Sequence, residues 1–392
     1  MKVAIVVRSL KIGGMERVAI TLAKAFQDAG HDTHLIYFKH KKKHYKTDEL
    51  KNVHFWNFDS YLLKTGIGFF YEIAMRVLNM IFRQSYPVTK GFVTSFIFKS
   101  KIKGLEKDSK PFDLIIIRGQ GTFEFLWYKQ DHRYVQVCEN LLYPDHKMTF
   151  LRRLYAKALY HDKNIACVSK GVLTSFHDLE KTAALKAKKA VVVTNPVDVD
   201  AIQRAATEYS PEIDAPYIVN VGRLAPVKQL SLLVEAYAYI KKRYPIQHKL
   251  VIVGQGDDEK NIRQKIKEFG LEDDVILAGV QINPYPWIAN ADLFVLSSKH
   301  EGLGMVLLES LACKTNLVVT KSPGGVTDIM QNELEELLCE ATVESLGEKI
   351  YKELSSPTTI DFDKHLQPFL PKSVLEKYIH EFATPNSKSE QA

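Results

Sequence analysis

Ser297-Ser298-Lys299-His300-Glu301-Gly302-Leu303-Gly304-Met305-Val306-Leu307-Leu308-Glu309 follows the apolar run Leu293–Leu296 and ends in residues with helical spacing. A strand, a glycine-punctuated loop and a helix therefore occur in order. That is the local unit of an open α/β sheet, whose ligands gather past the carboxyl ends of its strands. Glu301 precedes the helix and Glu309 lies about 1.5 turns inside it. The first N–H groups of a helix lack intrahelical partners, so the amides of Gly304, Met305 and Val306 are expected to be open to an anion. Two carboxylates at this spacing can flank a ligand whose phosphate sits at the helix start, accepting hydrogen bonds from its hydroxyls. Glu309 read as a mere surface carboxylate fits poorly with the apolar helix face that carries it, because Glu is rarely buried unpaired.

Outward from this stretch, strand and helix patterns alternate. In the second half Tyr217–Val221 leads to a helical stretch at Leu230–Arg243, then Lys249–Val253, a helix near Glu259–Phe269, and strands at Val275–Ala278, Leu293–Leu296 and Asn316–Val319. The first half repeats the alternation, with Val3–Val7, a helix over Glu16–Ala29, then His34–Phe38, Asp113–Ile117, Tyr134–Val137, Asn164–Val168 and Ala190–Val193. Strands alternating with helices imply parallel βαβ units, so the fold class is α/β with two Rossmann-like doubly wound domains. The expected boundaries are 1–200 for the first domain, 201–214 for a hinge linker and 215–372 for the second. Residues 373–392 would form a returning helix and a frayed tail.

The chain has 392 residues, 25% charged and 46% hydrophobic, which is the composition of a globular protein of about two domains. Disorder, collagen repeats and a disulfide scaffold are excluded. Cys138, Cys167, Cys313 and Cys339 are far apart with no metal-ligand spacing, so they read as reduced thiols. No uncharged run approaches the ~18 residues of a membrane span, and the five apolar residues before Arg8 suit a first strand better than a signal peptide. The protein is expected in the cytoplasm. The net charge of +7 is split unevenly: residues 1–200 carry 33 Lys+Arg against 19 Asp+Glu, the remainder 20 against 27. The first half thus faces an anionic partner, or simply presents a solvated basic surface. The segment Ile67–Phe82 has Glu72 and Arg76 at i,i+4 among mostly apolar residues. It reads either as a half-buried core helix or as a helix in the membrane interface beside the basic cluster Lys41–Lys43.

Further motifs lie past strand ends. Gly13-Gly14 follows the first strand in GGMER; a glycine pair there lets backbone approach an anion, or makes a plain tight turn. Gly222-Arg223-Leu224 with Lys228 puts two cations at a second strand end, where they can hold a pyrophosphate or sit as surface charges. Gly254-Gln255-Gly256 follows the next strand. G-x-G-x-x-G is absent after either first strand, which argues against a nicotinamide oxidoreductase, and the basic residues lack a nucleic-acid reading motif.

Taken in order, these pieces with Asn195-Pro196-Val197-Asp198, Ala291-Asp292-Leu293-Phe294-Val295 and Gly324-Gly325 resemble the retaining GT-B-fold glycosyltransferases. That group contains sucrose synthase and many bacterial lipopolysaccharide, capsule and glycolipid enzymes. The resemblance covers nearly the whole chain and implies two domains facing each other across a cleft. It implies that the Gly13-Gly14 loop sits over the donor pyrophosphate, and that Arg223 and Lys228 bind it and stabilise the departing nucleoside diphosphate. It further implies that Glu309 holds the ribose, Glu301 the donor sugar, and Gly302, Leu303, Gly304, Met305 and Val306 supply backbone amides. Gly254 would belong to the donor site and the backbone near Val280 would touch the base. Members usually need no metal or other cofactor, in keeping with the lack of a D-x-D motif. Their first domain binds the acceptor.

Two departures stand out. Many relatives carry a His where Val135-Gln136-Val137-Cys138-Glu139-Asn140 has Glu139, so either a carboxylate approaches the anomeric centre or Glu139 is a surface loop residue. A Gly-rich segment of relatives is replaced within Asn332–Leu338 by ELEELL. The expected activity is transfer from a nucleotide-sugar, UDP-linked, to a glycolipid or surface-polysaccharide acceptor at the cytoplasmic membrane face. Alternatives are a nucleotide-sugar epimerase and a catalytically silent nucleotide-sugar-binding subunit of a glycan assembly complex.

Overall fold

In the computed structural model each apolar run read as a strand forms one. The structure describes residues 1–11, 13–40, 45, 47–64, 66–81, 85–107, 109–142 and 148–383. The chain divides into two compact units, Met1–Pro196 with Pro371–Ala392, and Val197–Leu370. The cluster Lys41–Lys43, Phe82 and the tail expected to fray lie outside the described residues.

The first unit is built on strands β1 (Lys2–Ser9), β2 (Asp32–Lys39), β3 (Asn52–Phe55), β4 (Leu114–Arg118), β5 (Tyr134–Cys138), β6 (Asn164–Cys167) and β7 (Lys189–Val192). They pair in parallel in the order β3-β2-β1-β4-β5-β6-β7. β4 and β5 are buried along their whole length, as a parallel sheet covered on both faces requires. Helix α1 (Gly14–Asp28) lays Val18, Leu22, Ala23 and Phe26 on the sheet at helical spacing. The helix Pro371–Tyr378 packs on α1 and buries Val374, Leu375 and Tyr378, so the returning C-terminal helix belongs to the first unit.

The second unit carries β8 (Tyr217–Val221), β9 (Lys249–Val253), β10 (Val275–Gly279), β11 (Leu293–Leu296), β12 (Leu317–Thr320) and β13 (Leu338–Cys339), in the order β10-β9-β8-β11-β12-β13. β3 and β13 were not foreseen. The first is a half-exposed edge strand, NVHF, and the second only two residues long, so neither leaves an apolar run to read. The segment 201–214 was expected to be a hinge, but its first part is the helix Val199–Ala206, capped by the Asp198 carboxylate on the Ala201 amide at 3.0 Å. Gln203 donates to Ala312 O at 3.2 Å and Tyr209 to Asn283 O at 2.6 Å, tying this stretch to the second unit. The chain passes between the units at Pro196/Val197 and again at Leu370/Pro371, where Val197 N donates to Phe369 O at 2.8 Å. A helix with two buried residues, Ile202 and Ala206, is too short to announce itself beside the prolines that follow.

Between β3 and β4 stand α2 (Phe58–Leu63), α3 (Gly66–Ile81) and α4 (Ser85–Glu106). α4 is bonded to the segment after β4: Trp127 Nε1 donates to Val88 O at 2.9 Å and Thr94 Oγ1 to Phe125 O at 2.5 Å. Its first half therefore lies by the carboxyl edge of the sheet. α3 is turned inside out. Gly68 and Glu72 are its buried residues, while Ile67 is 88% exposed and Met80 81%, with Phe70, Val77 and Ile81 also outward. Glu72 takes Arg76 Nε at 3.2 Å, the Tyr86 hydroxyl and the Lys90 ammonium at 3.5 Å, and Lys90 also reaches Asp59 at 2.5 Å. The core-helix reading of this segment therefore fails, because its apolar side faces away from the protein.

Candidate functional site

In both sheets the strand order runs outward in two directions from the unit's first strand, β1 or β8, which makes a switch point: β1/β4 in the first and β8/β11 in the second. Ligands of open α/β sheets bind outside the carboxyl ends at such points.

In the second unit β8 and β11 pair only at Ile218–Leu293 and Val219–Phe294. The Asn220 amide then donates to Val295 O at 2.8 Å, and beyond it the two chains separate. The loop after β8 makes a single turn, Pro226–Lys228, and the loop after β11 runs along it. Lys299 N donates to Val227 O and Ser297 Oγ to Lys228 O, both at 2.8 Å. With the backbones so fixed, Lys228 Nζ meets Glu301 Oε1 at 2.5 Å, and Ser298 Oγ donates to the same oxygen at 2.6 Å. Both side chains stay partly solvent-accessible, 21% for Lys228 and 13% for Glu301. Arg223 is exposed and, among the described residues, forms no ion pair.

Glu301 is positioned from the other side as well. Its N–H donates to Pro323 O and its carbonyl accepts from Gly325 N, each at 3.1 Å. Gly324 sits at φ +110°, and a Cβ there would lie 1.6 Å from Glu301 O. No side chain fits, so Gly324 is required to bring the two loops together. Gly254 plays the same part between β9 and β8, at φ +147° with a Cβ position 1.8 Å from Gly222 O.

The helix Met305–Ala312 starts from Gly304 at φ +91°. Leu307 N closes back on Gly304 O at 2.8 Å, but among the described residues the N–H groups of Gly304, Met305 and Val306 have no acceptor. The side chain of Leu303 is buried, leaving only its backbone to the site. Glu309, one turn inside the helix, is buried. The Cys313 thiol one turn further is pushed up to about 12 by burial, with the Glu309 charge adding. Val280 is exposed just past β10, the edge strand. The structure thus gathers Lys228, Glu301 and the open amides at one switch point, with Gly254 bracing it and Val280 two strands from β8.

At the β1/β4 switch of the first unit, Gly13 is extended and Gly14 opens α1 with open space where a Cβ would stand. Among the described residues no contact demands a glycine at Gly14. Beneath the loop Glu16 is buried, 3.5 Å from Ser9 Oγ. Burial holds its pKa above the usual carboxylate value, and the Glu139 charge adds to the rise. Glu139 itself is no surface residue. Its side chain is 9% exposed and bonded to Arg118 Nη2 at 2.5 Å and Asn195 Nδ2 at 3.1 Å. Arg118, 0% exposed at the end of β4, also donates to Asn195 Oδ1 at 2.7 Å, while its Nε and Nη1 find no partner among the described residues. Tyr378 is buried with this group. Burial first and the Glu139 charge next raise its phenol to about 12, against the opposing Arg118 charge. Arg118 and Glu16 escaped the sequence reading. The signal for Arg118 was a cation closing the all-apolar strand Leu114–Ile117.

Residues 12–201 match the family described as Glycosyltransferase Family 4, and residues 202–367 the one described as Glycosyl transferases group 1. The two matches adjoin and follow the two units. The chain belongs to the GT-B glycosyltransferases. Among relatives of this GT-B chain is the N-acetylgalactosamine-N,N'-diacetylbacillosaminyl-diphospho-undecaprenol 4-alpha-N-acetylgalactosaminyltransferase of Campylobacter jejuni, 35% identical over 177 residues, 45% of this chain and 46% of that one. Another is the lipopolysaccharide core biosynthesis glycosyltransferase LpsE of Rhizobium meliloti, 32% identical over 190 residues, 47% of this chain and 53% of that one. The chain therefore matches these two curated relatives over about half their length. In fold, the GT-B chain is similar to HepE of Anabaena, solved in complex with UDP and glucose, at a TM-score of 0.70 and 19% identity, over 97% of this chain and 98% of that one.

Proposed function

We propose that the protein is a retaining glycosyltransferase that moves a sugar from a UDP-sugar to a glycolipid or surface-glycan acceptor at a membrane face. The observation that carries the reading is the β8/β11 switch point, where Lys228, Glu301 and the open N–H groups of Gly304, Met305 and Val306 converge. Breaking an anomeric C–O bond leaves negative charge on a diphosphate. Preorganised cations and dipoles aimed at that charge stabilise the transition state more than the ground state. In this reading Lys228 and Arg223 neutralise the diphosphate, and the helix start Met305–Ala312 adds its amides and dipole. Glu301, held by Ser298 and Lys228, accepts from a donor-sugar hydroxyl, and Glu309 from the ribose. Val280 lines the base, and no metal or cofactor is invoked.

The acceptor class is supported by the name of the Campylobacter relative, which contains a diphospho-undecaprenol, and by the outward apolar face of α3. Among the described residues no helix is long and apolar enough to cross a membrane. A helix with its carboxylate buried and its Phe and Ile side chains outward suits an interfacial position instead.

The test is calorimetric titration with UDP, GDP, ADP and CMP, with and without Mg²⁺. Selective micromolar binding of UDP is expected; binding of none would overturn the reading. Conversion of the donor with no acceptor present would redirect it to an epimerase. Sedimentation with vesicles should rise with anionic lipid and fall with salt. Absent or salt-insensitive binding points to a soluble acceptor.

A further inference from the structure

α2, α3 and α4 line an open groove of about 570 Å³ on the first unit, within the ~300–1,000 Å³ range of small-molecule sites. Its walls are Leu62 from α2, Ile67 and Tyr71 from α3, and Val93, Phe96 and Ile97 from α4. On α4 the lining continues through Ser100 to Lys101, so positions 93, 96, 97, 100 and 101 form one helical face. That face runs ~12 Å at 1.5 Å per residue, apolar for its first turn and polar at its far end. At that end the Lys101 ammonium lies 4.3 Å from the centre of the Tyr61 ring. An aromatic face and a long cationic side chain at the mouth of an apolar slot hold a charge at the surface while leaving the slot dry.

The surroundings carry an excess of cations. Across residues 58–106 the sequence has Asp59, Glu72 and Glu106 against Lys64, Arg76, Arg83 and, on α4, Lys90, Lys99, Lys101 and Lys103. Asp59 is bonded to Lys90 and Glu106 to Arg133. Glu72 is buried and already bonded to Arg76, Tyr86 and Lys90, so it does not offset the charge at the groove mouth.

We infer that this groove takes one hydrocarbon chain of an anionic membrane phospholipid, with the lipid phosphate on Lys101. The inference rests on the reading of the first unit as a lipid-surface domain and adds a specific lipid site to it. Charge complementarity selects the occupant: an apolar slot alone would accept any hydrocarbon, but one ending on Lys101, with Lys99 and Lys103 on the same helix, matches a chain that carries a phosphate. A single captured chain would fix the orientation of α3 at the interface, which an apolar helix face alone leaves loose.

The probe is dioctanoyl-phosphatidylglycerol below its micellar concentration, titrated calorimetrically into the full chain, with dioctanoyl-phosphatidylcholine in parallel. One saturable site is expected, with the anionic lipid preferred. Ile97→Trp, which fills the slot, should weaken binding roughly 10-fold, and Val93→Phe should act in the same direction from one turn earlier. Lys101→Glu should weaken the anionic lipid about 5-fold and erase the preference over the zwitterionic one. Thermal melts of each variant identify any that fails to fold. No saturable binding, or wild-type affinity in folded Ile97→Trp and Val93→Phe, would overturn the inference. So would farnesyl phosphate binding about 10-fold tighter than the phospholipid, which would assign the slot to an isoprenoid acceptor. UDP titration of the same samples separates the two proposals: nucleotide without lipid binding removes the groove alone, and lipid without nucleotide binding removes the transferase reading.

Discussion

At the switch point of the second sheet the charged groups stand near solvent, and at that of the first they are sunk. Lys228 and Glu301 pair at 2.5 Å in partly accessible positions, and Arg223, on the same loop as Lys228, is exposed. Arg118 and Glu139 also pair at 2.5 Å, but Arg118 is fully buried and Asn195 bonds to both partners. The same pair type at the same distance therefore has two physical meanings. An accessible pair costs little to open, so its lysine can turn to an arriving anion. A buried one cannot be opened without stranding a charge, because desolvation of the remaining ion is no longer offset. The first site is adjustable and the second is a fixed brace, with buried Tyr378 of the C-terminal helix beside it.

Breaking the brace should give the largest effect. Arg118→Met leaves Glu139 buried without its cation and is expected to cost about 3–5 kcal/mol in denaturant unfolding. Glu139→Met together with it should recover most of that loss. A small loss in the single variant would show the pair to be as adjustable as Lys228–Glu301. At the open pair stability should barely move and turnover should. Lys228→Ala is expected to lower kcat/KM about 10²–10³-fold, mostly in kcat, with a melting temperature close to wild type. Retained turnover would place charge neutralisation elsewhere. Glu309→Gln should raise the Kd for UDP about 10-fold or more, the worth of a hydrogen bond to a charged group. An unchanged Kd removes Glu309 from the ribose.

This contrast also explains what could be read in the sequence. Glu301 and Glu309 come from one loop and the helix it opens, so their spacing along the chain nearly gives their spacing in space; Lys228 lies 73 residues before Glu301 and was legible because its loop, too, follows the end of an apolar strand. Glu139 was singled out, but its partners lie 21 residues before it and 56 after, and only the folded sheet brings them together. Parallel strands were legible because burial on both faces makes each a continuous apolar run, whereas edge strands β3 and β13 lack that signature. For α3 the sequence showed an apolar stripe but not which way it faces. The direction was set by Lys90 on α4, which draws Glu72 inward. The helix Val199–Ala206 was missed for want of length, and with it the place where the chain passes from one unit to the other.

A smaller effect separates the units by pH. In the first unit His34 Nδ1 lies 2.9 Å from His54 Nε2, the rings stack, and Phe112 meets His34 edge-on. Burial lowers the His34 pKa to about 4; Asp32 at 3.2 Å opposes the shift, while the His54 and Lys2 charges add to it. Burial, with Lys2, lowers His54 as well. A histidine with a folded pKa below its unfolded value of 6.5 binds its proton more readily in the unfolded chain. Stability from this pair is thus complete above about pH 6.5 and falls as the pH drops toward about 4. Melting of the first unit should shift downward across that window. His34→Gln should flatten the slope there, and a melt followed at pH 7 and pH 5 reads the difference. An unchanged slope would assign the acid sensitivity to groups other than this pair, the raised carboxylate of Glu16 excluded. A folded pKa above the unfolded one makes Glu16 stabilise on acidification, the opposite sign.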